Sequence, residues 1–273
     1  MINRMMAVML IISLTLLCSV SLSHAQTAYQ PVGTVGGIDY GGRVIITKGM
    51  GLPGGIGGRM GQIRAAIMDA QRNYLEVVKG AYVNSESTVE GGLLTGDVIQ
   101  SRVEGLVRNF TPTDTSYWDD GTIEITLQFD MAGQFLDATM PKNMGSVSAA
   151  PRYLAPPSQS GVFTGMIVDA RGLGIRPALA PKIIDEQGKE VYGSSYVSRE
   201  YAIQQGMVGY AKDPNKAKTN NRVSPNPLFV KGLRADGPNR TDVVISDSDA
   251  ASIFNMSENM SFLRKCQVMI LVD

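Results

Sequence analysis

Histidine is almost missing from this chain, and the position of its one copy matters more than the count. The 273 residues hold a single histidine, His24, and two cysteines, Cys18 and Cys266. His24 and Cys18 fall in a segment that reads as a removable leader. Arg4 is its lone cation, Met5 to Leu17 is mostly apolar, and Ser23-His24-Ala25 has the small-x-small pattern that a signal peptidase reads. Cleavage after Ala25 leaves Gln26 first and a chain with no histidine. That excludes Ser-His-Asp and Cys-His catalysis and histidine-bearing zinc sites. Carboxylate or Ser/Lys chemistry is what remains. Lipidation at Cys18 is the rival reading of the leader, but such sites want a small residue before the cysteine, and Leu17 stands there. Cys266 is then left without a partner for an intramolecular disulfide. In the apolar run Cys266 to Val272 it reads as a core thiol on a buried strand.

Long apolar runs are lacking too. The leader core is shorter than the about 20 residues of a spanning helix and carries Ser13 and Thr15, and no later segment is long and apolar enough. No transmembrane helix is therefore expected in the mature chain. Charge of one sign is also lacking. Without Arg4, Lys plus Arg number one fewer than Asp plus Glu, so the chain has no bulk footprint for nucleic acid or an anionic membrane. Apolar residues make up 44%, ordinary for a globular protein of one large or two small domains.

What is abundant is glycine, and it is concentrated. Twelve of the thirty glycines fall between Gly33 and Gly61, so residues 26–61 read as a glycine-rich arm containing one short strand at Val44 to Thr47 and expected to become ordered on contact with a partner. A second shift runs from Pro141 to Gly161, with four prolines and no acid, and reads as a linker over 141–160. Between them, 62–140 reads as a small two-helix α/β module. Ile63, Ala66, Ile67, Ala70, Tyr74, Val77 and Val78 recur in steps of three and four up to Gly80, predicting an amphipathic helix with Ile67 and Tyr74 on its buried face. A strand over Tyr82 to Val89 and a second helix from about Gly96 to Arg108 follow. Asp119-Asp120-Gly121 then supplies a hairpin turn before the strict alternation of Ile123, Ile125, Leu127 and Phe129 with polar residues. Residues 161–273 read as strand-rich, with strands at 163–168, 181–185, 190–192, 228–233, 242–245 and 266–272, and helices at 198–205 and 247–254. The fold class is α+β.

The segment Arg64 to Gly80, continuing through Tyr82-Val83-Asn84-Ser85-Glu86-Ser87-Thr88-Val89 and including Ser101-Arg102-Val103-Glu104-Gly105, resembles outer-membrane lipoproteins of the Lpp/FlgP type. It also resembles the N-terminal domain of the flagellar assembly protein T (FlgT), over roughly residues 60–131. The resemblance implies a module used in envelope or flagellar-ring assembly, with no catalytic residues to carry over. Envelope or flagellar proteins, or further copies of this chain, are the partners it implies. A periplasmic or outer-membrane-associated location fits the leader.

Other motifs fall to plainer readings. Gly49-Met50-Gly51-Leu52-Pro53-Gly54 matches a dinucleotide-binding fingerprint only formally, since Pro53 and more glycines intervene where a helix should open. Asp247-Ser248-Asp249 with Glu258 fails as a calcium loop at Ala251 and Ser252, and reads as a helix start capped by Ser246 or Asp247. The sequons at Asn109, Asn239, Asn255 and Asn259 read as chance. Asp169-Ala170-Arg171-Gly172-Leu173-Gly174, ending a strand, is the best polar functional loop, against the alternative of an ordinary charged turn. Asp169 and Arg171, with Arg64 and Arg72 on the first helix, are the candidate interaction residues. Arg199 and Glu200 read as a solvated face. No cofactor or metal is expected. The expectation is a non-enzymatic envelope protein acting in assembly or scaffolding, with a ligand- or peptidoglycan-binding module as the alternative and a hydrolase using paired carboxylates third.

Overall fold

The computed structural model describes residues 28–95, 97–146, 151–255 and 257–273, and the leader lies outside the described residues. The architecture is α+β, with three sheets. The first sheet is antiparallel, in the order β1-β2-β3-β5-β4, from β1 (Tyr29–Val32), β2 (Gly36–Asp39), β3 (Val44–Gly51), β4 (Thr111–Tyr117) and β5 (Ile123–Asp130). This corrects the reading of residues 26–61 as an arm. Three of the five strands come from that stretch, and β3 is the middle strand, paired with β5 from Val44↔Asp130 to Gly51↔Ile123.

The glycines of β3 serve close packing instead of looseness. Helix α1 (Gly58–Lys79) lies across the sheet with Ala66, Ala70, Tyr74, Val77 and Val78 buried. A Cβ at Gly49 would stand 2.1 Å from the Ala70 nitrogen, and one at Gly51 would stand 2.1 Å from the Gln62 oxygen. Only bare backbone lets the strand and helix approach so closely. Tyr74 packs on Phe129 with ring centroids 4.4 Å apart, joining the helix stripe to the alternating face of β5. Ile67 sits at the margin of the stripe, half-buried. The hairpin turn is as predicted: Gly121 has φ 84, and the Asp120 carboxylate accepts the Thr122 N–H at 2.8 Å.

The strand predicted over Tyr82 to Val89 is a loop instead, with one bridge, Tyr82↔Thr88. Asn84 Oδ1 accepts the N–H groups of Glu86 and Ser87, both at 2.9 Å, taking amides that a ladder would have used. Helices α2 (Val89–Thr95) and α3 (Asp97–Gly105) and a 3-10 turn at Leu106–Arg108 then lead into β4. A short helix not expected from the sequence, α4 (Gln134–Thr139), follows β5.

The second half holds two four-stranded sheets. The central one is all parallel, β10-β6-β13-β9, from β6 (Gly165–Asp169), β9 (Gly209–Ala211), β10 (Pro227–Lys231) and β13 (Val268–Leu271). β13 and most of β6 are buried residue after residue, as a sheet covered on both faces requires. The other sheet runs β11-β12-β7-β8, from β7 (Ile183–Ile184), β8 (Glu190–Tyr192), β11 (Arg234–Asp236) and β12 (Asp242–Val244). Around these sit α5 (Arg199–Gln205), α6 (Pro214–Lys218), α7 (Asp247–Phe254) and α8 (Met260–Arg264). Ser246 caps α7, its hydroxyl accepting the Asp249 N–H at 3.1 Å. The described part of the proline-rich stretch has no helix or strand and lies against α7: Tyr153 stacks on Phe254 at 5.8 Å, and the Gln159 N–H reaches Ser252 Oγ at 2.8 Å.

One apolar core runs through both halves. The loop after α1 forms much of the seam, where the carbonyls of Tyr82, Val83 and Ser85 accept N–H groups from Leu179, Ala180 and Asn239 at 2.9, 2.7 and 3.1 Å. Arg199, read from the sequence as part of a solvated face, is half-buried here and binds Asp137 across the seam, whereas Glu200 is exposed.

Candidate binding sites

The parallel sheet directs the loop after β6 to its carboxyl end, the edge where open α/β sheets bind ligands. Arg171 turns back on Asp169, with Nε 2.8 Å from Oδ1 and Nη2 2.6 Å from Oδ2, and this fork holds the Asp169 carboxyl below its ordinary range. Gly172, at φ 77, donates its N–H to both Asp273 carboxylate oxygens at 2.8 and 3.1 Å. The predicted pair is thus brought together. Both Asp169 oxygens are engaged by Arg171, so the two charges pair with each other on one turn, beside the Asp273 carboxylate. Arg64 and Arg72 lie exposed on the solvent side of α1, on a different sheet from Asp169 and Arg171, so the structure does not join the four into one site. Cys266 is buried as expected, but on the turn before β13 at φ 56 and not on the strand expected over 266–272, and burial pushes its thiol up to about 11. Among the described residues, no group of three or more His, Cys, Asp or Glu is placed to hold a metal ion.

Two other features escaped the sequence reading. The first is an apolar tip at one end of the first sheet. Leu52 and Ile56 on the turn between β3 and α1, Met60 at the start of α1, and Tyr117 and Trp118 at the β4–β5 hairpin all stand in solvent, Ile56 fully and Trp118 at 54%. The turns are neighbours: Gln62 Nε2 reaches the Gly121 carbonyl at 3.2 Å, and the Arg59 guanidinium lies 4.5 Å over the Tyr117 ring. Scattered exposed apolar residues are ordinary, but a gathered group that includes the chain's one tryptophan is a candidate interaction surface.

The second feature is a cleft of about 290 Å³ where the β2–β3 turn meets the parallel sheet. It is lined by Gly41 and Arg43 on one side and by Gly209, Tyr210, Asn220 and Arg222 on the other. Tyr40 meets Tyr210 edge-on at 5.7 Å behind it. Arg43 has φ 57, a conformation unusual for a bulky side chain that costs about 1–3 kcal/mol and tends to occur at functional positions. Arg222 is held by carbonyls: Nη1 donates to Gly206 at 3.1 Å and to Cys266 at 2.7 Å, and Nη2 donates to Gln205. Its hold on its proton is weakened, chiefly by burial. Separated by nearly 180 residues, two lone arginines leave no periodic mark in a sequence; Gly41-Gly42 before one and Asn220-Asn221 before the other were the available signals.

An α+β protein with an exposed apolar tip and an arginine-lined cleft is the class that the fold and these surfaces define. Residues 165–273, from the first residue of β6 onward, match the family model described as Treponema pallidum Tp0624, second domain. The second half is thus similar to that domain. No curated protein matches the chain.

Proposed function

We propose that this is an exported, non-enzymatic cell-envelope protein that acts in assembly or scaffolding at the flagellar basal body or outer membrane, and that the apolar tip is where it meets its protein partner. The observation that carries this reading is the gathering of Leu52, Ile56, Met60, Tyr117 and Trp118 on adjoining turns. Their exposure contributes nothing to the core, and burial against a partner stabilises a complex by about 25 cal/mol per Å² of apolar surface removed from water. The leader pattern and the resemblance over residues 60–131 supply the location and the class of partner.

A photo-crosslinking residue at position 118 tests this in the native envelope. A single abundant adduct with a basal-body or outer-membrane protein, lost when Ile56→Ser and Met60→Ser are added, is the expected result. Absence of any adduct, or hydrolysis of an envelope substrate by the purified protein, overturns the reading. N-terminal sequencing is expected to begin at Gln26, and retention of Met1 or a lipid on Cys18 overturns export.

A further inference from the structure

We propose that the cleft between Arg43 and Arg222 binds a small oxyanion, the carboxylate or phosphate group of a soluble ligand. The argument begins with charge. Two arginines line this cleft, with the Arg43 charge close enough to be felt at Arg222; its lining contains no Asp or Glu, and neither arginine makes an ion pair with a described residue. Asp39, on the same turn as Arg43, is engaged elsewhere, accepting the Gly42 N–H at 2.8 Å. A half-buried cation whose guanidinium hydrogen bonds all go to carbonyls is partly solvated but not neutralised, and an anion entering the cleft supplies the missing charge.

Donor geometry points the same way. A guanidinium has five N–H donors in a rigid fork. The carbonyls of Gly206, Cys266 and Gln205 take three from Arg222, leaving Nε–H and one Nη2 hydrogen. The three bonds fix the plane of the group, so the remaining donors are pre-organised. Gly209 keeps the approach open, because a Cβ there would stand 3.1 Å from Nε and 3.3 Å from Cδ of Arg222. Arg43 lines the other side at a turn position held in the left-handed region, and Asn220 and Asn221 also line the cleft, Asn220 Oδ1 accepting the Arg222 backbone N–H at 2.9 Å. Arginine forks match carboxylate and phosphate oxygens bidentately. The cleft's volume admits only a small molecule. Because the first half supplies Arg43 and the second half supplies Arg222, an occupant bridges the two halves. This inference is independent of the apolar tip and of the partner proposed there.

Isothermal titration of the whole mature protein with inorganic phosphate and, separately, succinate, at constant ionic strength against chloride, tests it. Saturable binding of at least one anion is expected, with the more tightly held one identifying the ligand class. Arg43→Gln, which leaves the Arg222 staple in place, is expected to weaken it about tenfold or more. Gly209→Ala is expected to weaken binding while leaving Arg43 and Arg222 present, and amide shifts of Gly209, Asn220 and Asn221 are expected to follow the titration. No saturable binding of either anion, or unchanged affinity in a folded Arg43→Gln protein, overturns the proposal. Arg222→Gln is not needed for the decision, since its loss of three carbonyl contacts also weakens the fold.

Discussion

Arg199 clamps Asp137 across the seam between the two halves: Nη2 donates to Asp137 Oδ1 at 2.7 Å and to the Asp137 carbonyl at 2.9 Å, while Nη1 reaches the Pro141 carbonyl at 2.9 Å. Both side chains are partly exposed, so solvent screens the ion pair, and most of its contribution comes from the two carbonyls it satisfies. Arg199→Ala is expected to lower stability by about 1–2 kcal/mol in urea unfolding. Arg199→Lys is expected to restore little, because an ammonium cannot reproduce the fork. A midpoint unchanged by Arg199→Ala would show that the seam does not rely on this clamp.

The contact of β3 with α1 gives a graded set of variants. Tyr74→Ala empties a fully buried site beside Phe129 and is expected to cost about 3–5 kcal/mol. Ile67→Asp places a charge at a half-buried margin with access to water and is expected to cost less than Tyr74→Ala. Gly49→Val forces atoms into the backbone of Ala66 and Ala70 and is expected to prevent the native fold. Circular dichroism and denaturant titration check the order, and a Gly49→Val protein as stable as wild type refutes the packing.

Cys266 makes stability fall in alkali. The folded thiol ionises at about 11, raised from 9.0 chiefly by burial, so the unfolded chain loses its proton first. Its contribution is intact below about pH 9 and is lost progressively as pH rises towards 11, reaching about 1 kcal/mol by pH 10. Cys266→Ala is expected to flatten the pH dependence of unfolding free energy between about pH 9 and 10, where the unfolded thiol ionises and the folded one does not. In the native protein, iodoacetamide at pH 8 is expected to leave the Cys266 peptide unmodified.

Asp169 behaves oppositely. Its depressed carboxyl adds stability above the unfolded value, and that contribution is lost as pH falls through the folded one. Arg171→Gln is expected to move the Asp169 carboxyl titration, followed by carbon NMR, back towards the ordinary range. An unmoved titration would show that the fork is not what holds the group.

The sequence was most readable where one element packs in a regular period. The stripe on α1, the alternation of β5, the hairpin turn at Asp120 and α7 with its Ser246 cap all follow from local spacing. It misled where a partner far along the chain decides conformation. Gly49 and Gly51 look loose until α1 is laid on them, and Tyr82 to Val89 looks like a strand until Asn84 takes its amides and the second half takes its carbonyls. Arg43 and Arg222 meet only through tertiary folding. Asp169 and Arg171 were readable because they lie two residues apart on one turn.

The place of β13 also bears on the order of assembly. The last strand in the sequence lies between β6 and β9, so the parallel sheet remains two separated parts until a segment about a hundred residues beyond β6 arrives. During synthesis, the apolar edges of β6 and β9 therefore wait unpaired, a state prone to association with other chains and protected by any holdase that binds it.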